Sequence, residues 1–540
     1  MTLLSAPVAP GSIRPRAGLR RALFGAAALL LAAGAAIAGP LDRELLKLAA
    51  EAKLGSSVAG VAIYDATTGE ELGSMNERRA LIPASNLKLL TSGTALLVLG
   101  PDFEFRTRIV RDGDRIVVIG AGDPAFGDSE LLGEMKITAN EFVDRLAQPI
   151  IEAGGHVREV VIDDRVFDRE AVHPTWPKGQ LHRWYCAEVS GLNFHANVIE
   201  VFATCRSATG IPSVRKAPDA PWLEVNVTAR CAGKGASTAL DVQREPGSNR
   251  FTLSGTLVGS IDEPIRCSLT DPALVFGRLL ADRLHAAGMD AAATTATSPA
   301  AQSPDAVPGG ANAPTQRTGI VVRLAEPGEV FNPSKQLAVV RTPLQRVLER
   351  CNVDSHNLYA EALLKRIGRE VTGQPGSWSN GAAVVRMQVN EKVGTESGSL
   401  LMVDGSGMSA ENNVSPMLMG RWLVALNQNE RVRDMFIESL PKPGEGTLRR
   451  RFQDRLPGEV RAKSGFINNV RAFSGYVTSE GGRRVAYSII INNTNAAPPG
   501  KVVEFSEDTV AAIARYLDRQ ERDDRPARPN AQPSSKSGSR

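Results

Sequence analysis

The chain has 540 residues, 42% of them hydrophobic and 23% charged, which excludes fibrous and wholly disordered proteins and leaves room for two or three packed domains. Its formal charge is +4, and Arg14, Arg16, Arg20 and Arg21 account for all of it. The remainder is near neutral, so nothing in it is built to hold nucleic acid.

Residues 1–38 join this basic stretch to an apolar run, Ala22 to Ala35, and a small-x-small site, Ala36-Ile37-Ala38. That order predicts a secretory signal peptide cleaved near Ala38 and a periplasmic mature protein. The run is short and stops at Gly39-Pro40, so a permanent membrane span is not expected, and the Arg20-Arg21 pair is not by itself a twin-arginine signal. Apolar periodicity then predicts a helix over Leu41 to Lys53 and a strand over Ser57 to Tyr64. A turn at Asp65 to Glu70 leads into a second short strand, and a helix runs from Asn86 to Leu99 until Gly100-Pro101 stops it. Beyond Phe103 the texture is of short strands: Phe105 to Val110, Arg115 to Ile119, Glu159 to Ile162, Val198 to Ala203, Leu223 to Ala229 and Phe251 to Val258. One or more mainly β modules are expected there.

Asp290 to Gln316 is almost wholly Ala, Thr, Ser, Pro, Gly and Asn and is too poor in large apolar groups to pack, which predicts a linker. Helices return at Pro343 to Cys351 and Asn357 to Ile367. The fold is expected to end on strands Glu459 to Lys463, Val470 to Thr478 and Arg484 to Asn492, then a helix around Phe505 to Arg519. Residues 521–540 are a polar tail.

The five cysteines, Cys186, Cys205, Cys231, Cys267 and Cys351, show no C-x-x-C spacing and no His partner. The six histidines include no helical ligand pair such as H-E-x-x-H, so no metal is expected. In an oxidising compartment one or two disulfides fit, with Cys351 the odd one because it lies in an apolar helical pattern. The other four allow three pairings.

Chemistry enters with Ser85-Asn86-Leu87-Lys88. A serine and a lysine three apart at a helix start share one face, and an unprotonated lysine there can take the serine proton, provided burial or a second cation lowers its pKa. Ser355-His356-Asn357 lies between two helical segments, and Lys463-Ser464-Gly465 lies on a strand entering a hairpin. Each is weak alone: a capping serine beside a solvated lysine, an N-cap, an exposed strand lysine. Together they stand in the order S-x-x-K, S-x-N, K-[ST]-G on helix, loop and strand, and that joint order is specific.

On these residues the sequence resembles the penicillin-binding D-alanyl-D-alanine carboxypeptidase/endopeptidase family, the type with a large insertion between the first two motifs. Here 270 positions part Ser85 from Ser355. Further matches are Gly120-Ala121-Gly122-Asp123-Pro124, Gly191 to Phe194, Asn357 to Glu361, Val403 to Ser409 and Ser474-Gly475-Tyr476. The resemblance implies an α+β fold: a penicilloyl-serine transferase domain from residues 39–104 and 318–520, with inserted β-rich domains over 105–290 and a linker over 291–317. It implies peptidoglycan stem peptides as substrates, β-lactam antibiotics as covalent ligands, and no cofactor.

It further implies Ser85 as nucleophile, Lys88 as base, and Ser355, held by Lys88 and Lys463, as proton relay. Asn357 would bind the substrate amide and position Lys88. Lys463 and Ser464 would meet the terminal carboxylate at the Gly465 strand, and the backbone N–H groups of Ser85 and Phe466 would form the oxyanion hole. The third motif departs from the usual Lys-Thr-Gly, because position 464 is serine and lacks the methyl that restricts the threonine rotamer. Rival readings are a β-lactamase and a non-catalytic binding protein of the same fold. The first lacks a reason for the long insertion, and the second would be expected to lose Ser85 or Lys88. Gly120 to Ala125 also fits G-x-G-x-x-A, but Pro124 and the missing downstream acid make it a turn rather than a dinucleotide site. No G-x-S-x-G elbow is present.

Overall fold

The computed structural model describes residues 39–290, 319–394, 400–452 and 456–524. The expected signal peptide, most of the linker and most of the polar tail lie outside the described residues. The last helix, Lys501–Asp524, runs four residues past the expected start of that tail.

The two ends of the described chain build one antiparallel sheet of five strands, in the order Glu459–Ile467, Val470–Thr478, Arg484–Asn492, Val58–Asp65, Glu71–Met75. Successive side chains of Val58–Asp65 point to opposite faces. Val61 and Ile63 enter a core shared with the helices Asp42–Ala52 and Lys501–Asp524, while Ala62 and Tyr64 enter a second core on the other face. That second layer holds the helices Lys88–Leu99, Asn357–Thr372, Trp378–Val393 and Pro416–Gln428. Its pivot is the wholly buried Trp422, whose indole N–H is satisfied by the Leu89 carbonyl at 3.0 Å. Helices on both faces of an antiparallel sheet are the expected α+β arrangement.

The inserted region is less purely β than its strand texture predicts. Its first sheet has five strands in the order Val321–Leu324, Glu159–Asp163, Arg115–Ile119, Glu104–Asp112, Lys335–Pro343, and the helices Ala139–Ala153 and Pro272–Ala286 pack against it through a common core. The first of these helices carries a Thr138/Glu141 capping box, a start signal present in the sequence. Two strands of this sheet come from beyond the linker, although residues 318–343 were assigned from sequence to the catalytic unit. Val321–Leu324 pairs parallel to Glu159–Asp163, and Lys335–Pro343 pairs antiparallel to Glu104–Asp112. The chain therefore returns to the catalytic layer at Leu344, the start of the helix Leu344–Val353. Strand pairing over such separations leaves no mark in local periodicity.

The Gly120-to-Ala125 segment is the expected turn. Asp123 is buried and accepts from the Ala125 N–H at 2.9 Å and the Thr342 hydroxyl at 2.6 Å. A side chain on Gly122, at φ +73°, would sit 2.3 Å from the Phe167 ring. Beyond it lie a three-stranded sheet of Ile265–Ser268, Val198–Thr204 and Ser213–Ala217, and a four-stranded one of Ala239–Arg244, Arg250–Leu257, Glu224–Val227 and Arg230–Cys231. One disulfide, Cys205–Cys231, ties these two sheets together, and Cys186, Cys267 and Cys351 are free and buried.

That crosslink closes a loop of 26 residues, which in the chain-entropy account stabilises by about 3.5 kcal/mol. Cys205→Ser/Cys231→Ser should make the segment around 205–260 the first site of limited proteolysis while the rate of Ser85 acylation stays within about twofold. Cleavage that begins in the five-stranded catalytic sheet would contradict this placement.

Candidate active site

Ser85 sits in a single 3₁₀ turn, Ala84–Leu87, which feeds directly into the helix that begins at Lys88. The residue before it, Ala84, is wholly buried at φ +47°, a left-handed conformation costing about 1–2 kcal/mol for a residue with a Cβ. Neighbours hold it there. Gly407 packs so closely that a Cβ would lie 1.9 Å from the Ala84 carbonyl oxygen, and a Cβ on Gly465 would lie 2.9 Å from that of Pro83. The glycine of Lys463-Ser464-Gly465 thus lets the edge strand press against the turn that carries Ser85. Asn86 anchors the same turn from below, donating to Ser474 Oγ at 2.6 Å in the neighbouring strand.

Lys88 is wholly buried. Its Nζ donates to Ser85 Oγ at 3.1 Å, Asn357 Oδ1 at 2.8 Å and the Ser406 carbonyl at 2.9 Å. Burial pulls its pKa down to about 8, against the pull of Cys351, Glu361 and Asp404 in the other direction. About a tenth of such an amine is unprotonated at pH 7, against less than a thousandth of an ordinary lysine. Asn357 is itself aimed, because its amide donates to the Tyr185 carbonyl at 2.8 Å.

Ser355 occupies the left-handed region at φ +59° and receives a hydrogen bond from Lys463 Nζ at 2.8 Å. The three protons of Lys88 are committed elsewhere, so Lys463 alone of the two lysines holds Ser355, a correction to the expectation that both do. Lys463 itself is wholly buried, with its other bond to the Ser464 carbonyl at 2.7 Å. Burial first, and the charge of Lys88 second, hold its pKa well below the usual lysine value. Ser464 is half-buried at the strand edge and Phe466 is 63% exposed, with the Arg471 guanidinium 3.7 Å from its ring centroid. Glu459–Ile467 is an edge strand, paired on one side only, which leaves backbone free for an extended peptide.

His356, between Ser355 and Asn357, is buried against the rings of Trp184 and Tyr359. Burial and the nearby Arg350 push its pKa to about 3; it is neutral and no proton donor at physiological pH. The arrangement brings together Ser85, Lys88, Ser355, Asn357, Lys463, Ser464 and Gly465 from three separate elements. Sequence reasoning matched the Val403-to-Ser409 loop to the family but gave it no part in the site. This loop supplies the third acceptor for Lys88. Its signal is the run of buried polar residues Asp404, Ser406, Ser409 and Asn412, which no periodicity reports. Among the described residues no group of His, Cys, Asp and Glu is placed to hold a metal ion.

The family model for the D-Ala-D-Ala carboxypeptidase 3 (S13) family matches residues 41–316 and 315–512. A D-alanyl-D-alanine carboxypeptidase of Actinomadura sp. (strain R39) is 28% identical over 554 residues, covering 95% of this chain and 94% of that protein. A carboxypeptidase DacB of Mycolicibacterium smegmatis is 23% identical, covering 84% of this chain and 79% of that protein. Among solved structures, penicillin binding protein 4 (dacB) from Haemophilus influenzae superposes with a TM-score of 0.65 at 19% identity, covering 88% of this chain and 99% of that one, which bears out the fold. With the family model spanning nearly all of both the catalytic layer and the insertion, this chain belongs to the D-Ala-D-Ala carboxypeptidase 3 (S13) family.

Proposed function

We propose that the protein is a serine-type D-Ala-D-Ala carboxypeptidase, with DD-endopeptidase activity, that acts on peptidoglycan stem peptides through an acyl-enzyme. The observation that carries this reading is the contact of a wholly buried Lys88, its proton affinity lowered by that burial, with Ser85. The neutral Lys88 amine takes the Ser85 hydroxyl proton as Oγ attacks the carbonyl between the two D-alanines. The tetrahedral oxyanion is met by the backbone N–H groups of Ser85 and Phe466, each donor worth about 3 kcal/mol in comparable sites.

Collapse breaks the peptide bond, and the departing amine takes a proton from Ser355 Oγ, which Lys463 resupplies. Water then attacks the acyl-enzyme and passes a proton through Ser355 back to Lys463, while Lys88 returns its proton to Ser85 Oγ as the ester breaks, which restores both lysines and releases the shortened peptide. Asn357 serves the substrate amide and Lys88 together. The terminal carboxylate falls to the Ser464 hydroxyl, with the charge of Lys463 beneath it. β-Lactams would occupy the same place and acylate Ser85. Residues 1–38 would carry the protein to the periplasm and be removed; among the described residues no helix is long and apolar enough to cross a membrane. The catalytic unit is assigned to 39–104 together with the chain from the Leu344 helix to about 520, around an insertion that begins near 105.

Benzylpenicillin should add one drug mass to the peptide containing Ser85, as read by intact-protein and peptide mass spectrometry, and Ser85→Ala should add none. Release of D-alanine from a pentapeptide should far exceed turnover of nitrocefin; the reverse would favour the β-lactamase reading. Because Lys88 acts only when unprotonated, acylation should rise with pH along a limb centred near 8. Lys88→Arg, which cannot give up its proton, should lower acylation by about 10²–10⁴-fold.

The buried position of Lys463 gives a separate test. If it acts on Ser355, Lys463→Arg should impair cleavage of a D-Ala-D-Ala peptide and of its C-terminal amide by similar factors, since the larger fork has no open cleft to enter. Loss confined to the free acid would return Lys463 to direct carboxylate binding.

A further inference from the structure

Two carboxyls lie under the site and touch neither Ser85 nor Lys88 directly. Glu361 and Asp404 are both wholly buried. Glu361 accepts from the backbone N–H of Gly405 at 2.7 Å, the backbone N–H of Ser406 at 2.8 Å and the indole N–H of Trp378 at 2.8 Å. Asp404 accepts through Oδ1 from the Gly407 N–H at 2.9 Å and the Asn412 amide at 2.8 Å, and through Oδ2 from the Ser409 N–H at 2.7 Å and the Trp176 indole at 3.1 Å.

The Gly407 N–H and the Ser406 C=O belong to one peptide group. Its N–H meets the Asp404 carboxylate, and its C=O accepts from Lys88 Nζ at 2.9 Å. A carboxylate on the N–H end of an amide strengthens the carbonyl at the other end as an acceptor. Glu361 fixes the two preceding N–H groups of the same loop. It also lies one helical turn beyond Asn357 on the helix Asn357–Thr372, so one helix face orients Lys88 twice: directly through Asn357 and through the loop by way of Glu361.

We infer that Asp404 and Glu361 are positioning residues for Lys88, gripping the Gly405–Gly407 backbone so that the Ser406 carbonyl is aimed at the lysine amine. This rests on the reading of Lys88 as the base. The ionisable groups facing Lys88 are Cys351 on the helix Leu344–Val353, Lys463 on the edge strand, His356 before the helix Asn357–Thr372, Glu361 on that helix, and Asp404 in the loop. Those facing Glu361 are Asp404, Lys88, Cys351 and, on its own helix, Lys365. Burial, and then the charge of Asp404, raise the pKa of Glu361 above the ordinary carboxyl range. Negative charge on either acid favours the protonated amine of Lys88, so deleting that charge should make Lys88 give up its proton at lower pH.

The test is the rate of acylation by benzylpenicillin across about pH 6 to 10 in the mature protein carrying Glu361→Gln or Asp404→Asn. Each variant should lower the plateau rate by about tenfold, from loss of aim, and move the ascending limb about half a pH unit or more toward acid. A role in folding alone would lower the plateau and leave the midpoint in place. An unmoved midpoint in both folded variants overturns the inference.

If circular dichroism shows that neither variant folds, Trp378→Phe removes a single donor from Glu361 and leaves the backbone contacts intact. It should move the limb the same way by a smaller amount, and an unmoved limb there is equally fatal. Lys88→Arg separates the two levels of argument: if it acylates with the wild-type pH profile, the base assignment fails and the inference with it. If Lys88→Arg is inactive while the acid variants keep the wild-type midpoint, only the inference fails.

Discussion

The constraint on which this site depends is that Lys88 has no access to water. An ammonium taken from solvent into a protein interior loses several kcal/mol of hydration, and the interior can respond by pairing it or by lowering its proton affinity. Here both responses are present and neither is complete. Three neutral oxygens, from Ser85, Asn357 and Ser406, replace its water shell, while no carboxylate among the described residues touches it. The contrast with Lys365 is instructive. Lys365 is equally buried, but it is neutralised by Asp168 at 2.6 Å and lies 3.8 Å from the Trp378 ring centroid; it is a structural cation. Lys88, denied a direct counterion and facing a second buried lysine at 463, is left as an amine that can leave its proton behind.

This requirement explains why the insertion is bound so closely to the catalytic layer. The acceptor that orients the Asn357 amide is the Tyr185 carbonyl, and the indole that holds Asp404 belongs to Trp176; both residues come from the inserted segment. Thr175 adds a hydroxyl contact to Ser409 at 2.8 Å. On the other flank, Asp128 of the insertion receives Arg350 at 3.1 Å and the Tyr359 hydroxyl at 2.8 Å, from the two helices that bracket Ser355. Arg350 also pairs with Glu130 and Asp354. A buried cation so surrounded is strongly held, because removal of one partner leaves charge without compensation. The inserted region is therefore part of the wall that sets the positions of Ser355 and Asn357.

Sequence made the candidate catalytic residues legible because the chemistry proposed for them demands fixed local spacing. Ser85 and Lys88 must share a helix face, and Lys463 and Gly465 must sit on a strand that packs against the serine turn. The flanking helix starts and the central strands were legible for a similar reason, since burial on one or both faces imposes a period. Two kinds of feature were not. The partnership of Val321–Leu324 with Glu159–Asp163 depends on strand pairing across the linker, and the Asp404 loop binds Lys88 with a backbone carbonyl, which every residue type possesses. The burial of Lys463 was hidden because a lysine on an edge strand carries no local sign of whether the next layer covers it.

The backbone conformations at the two serines follow from the same geometry. Ser85 must follow a residue that turns the chain sharply enough to expose its Oγ while Lys88, three positions on, goes inward; Ser355 must present its Oγ to Lys463 between two helices. Ala84 and Ser355 both meet this by occupying the left-handed region, at about 1–2 kcal/mol each. Such conformations persist only where surrounding contacts over-determine them. Around Ala84 those contacts are Gly407 and Gly465, whose missing side chains let the loop and the strand close on the turn. Around Ser355 they are the His356 N–H to the Arg350 carbonyl and the ion pairs of Arg350 itself. Gly407 of the Asp404 loop and Gly465 of the third motif thus belong to the Ser85 turn as much as to their own segments. A side chain at 407 or 465 would relax Ala84 toward an ordinary conformation and rotate Ser85 away from Lys88, although neither glycine touches the reacting atoms.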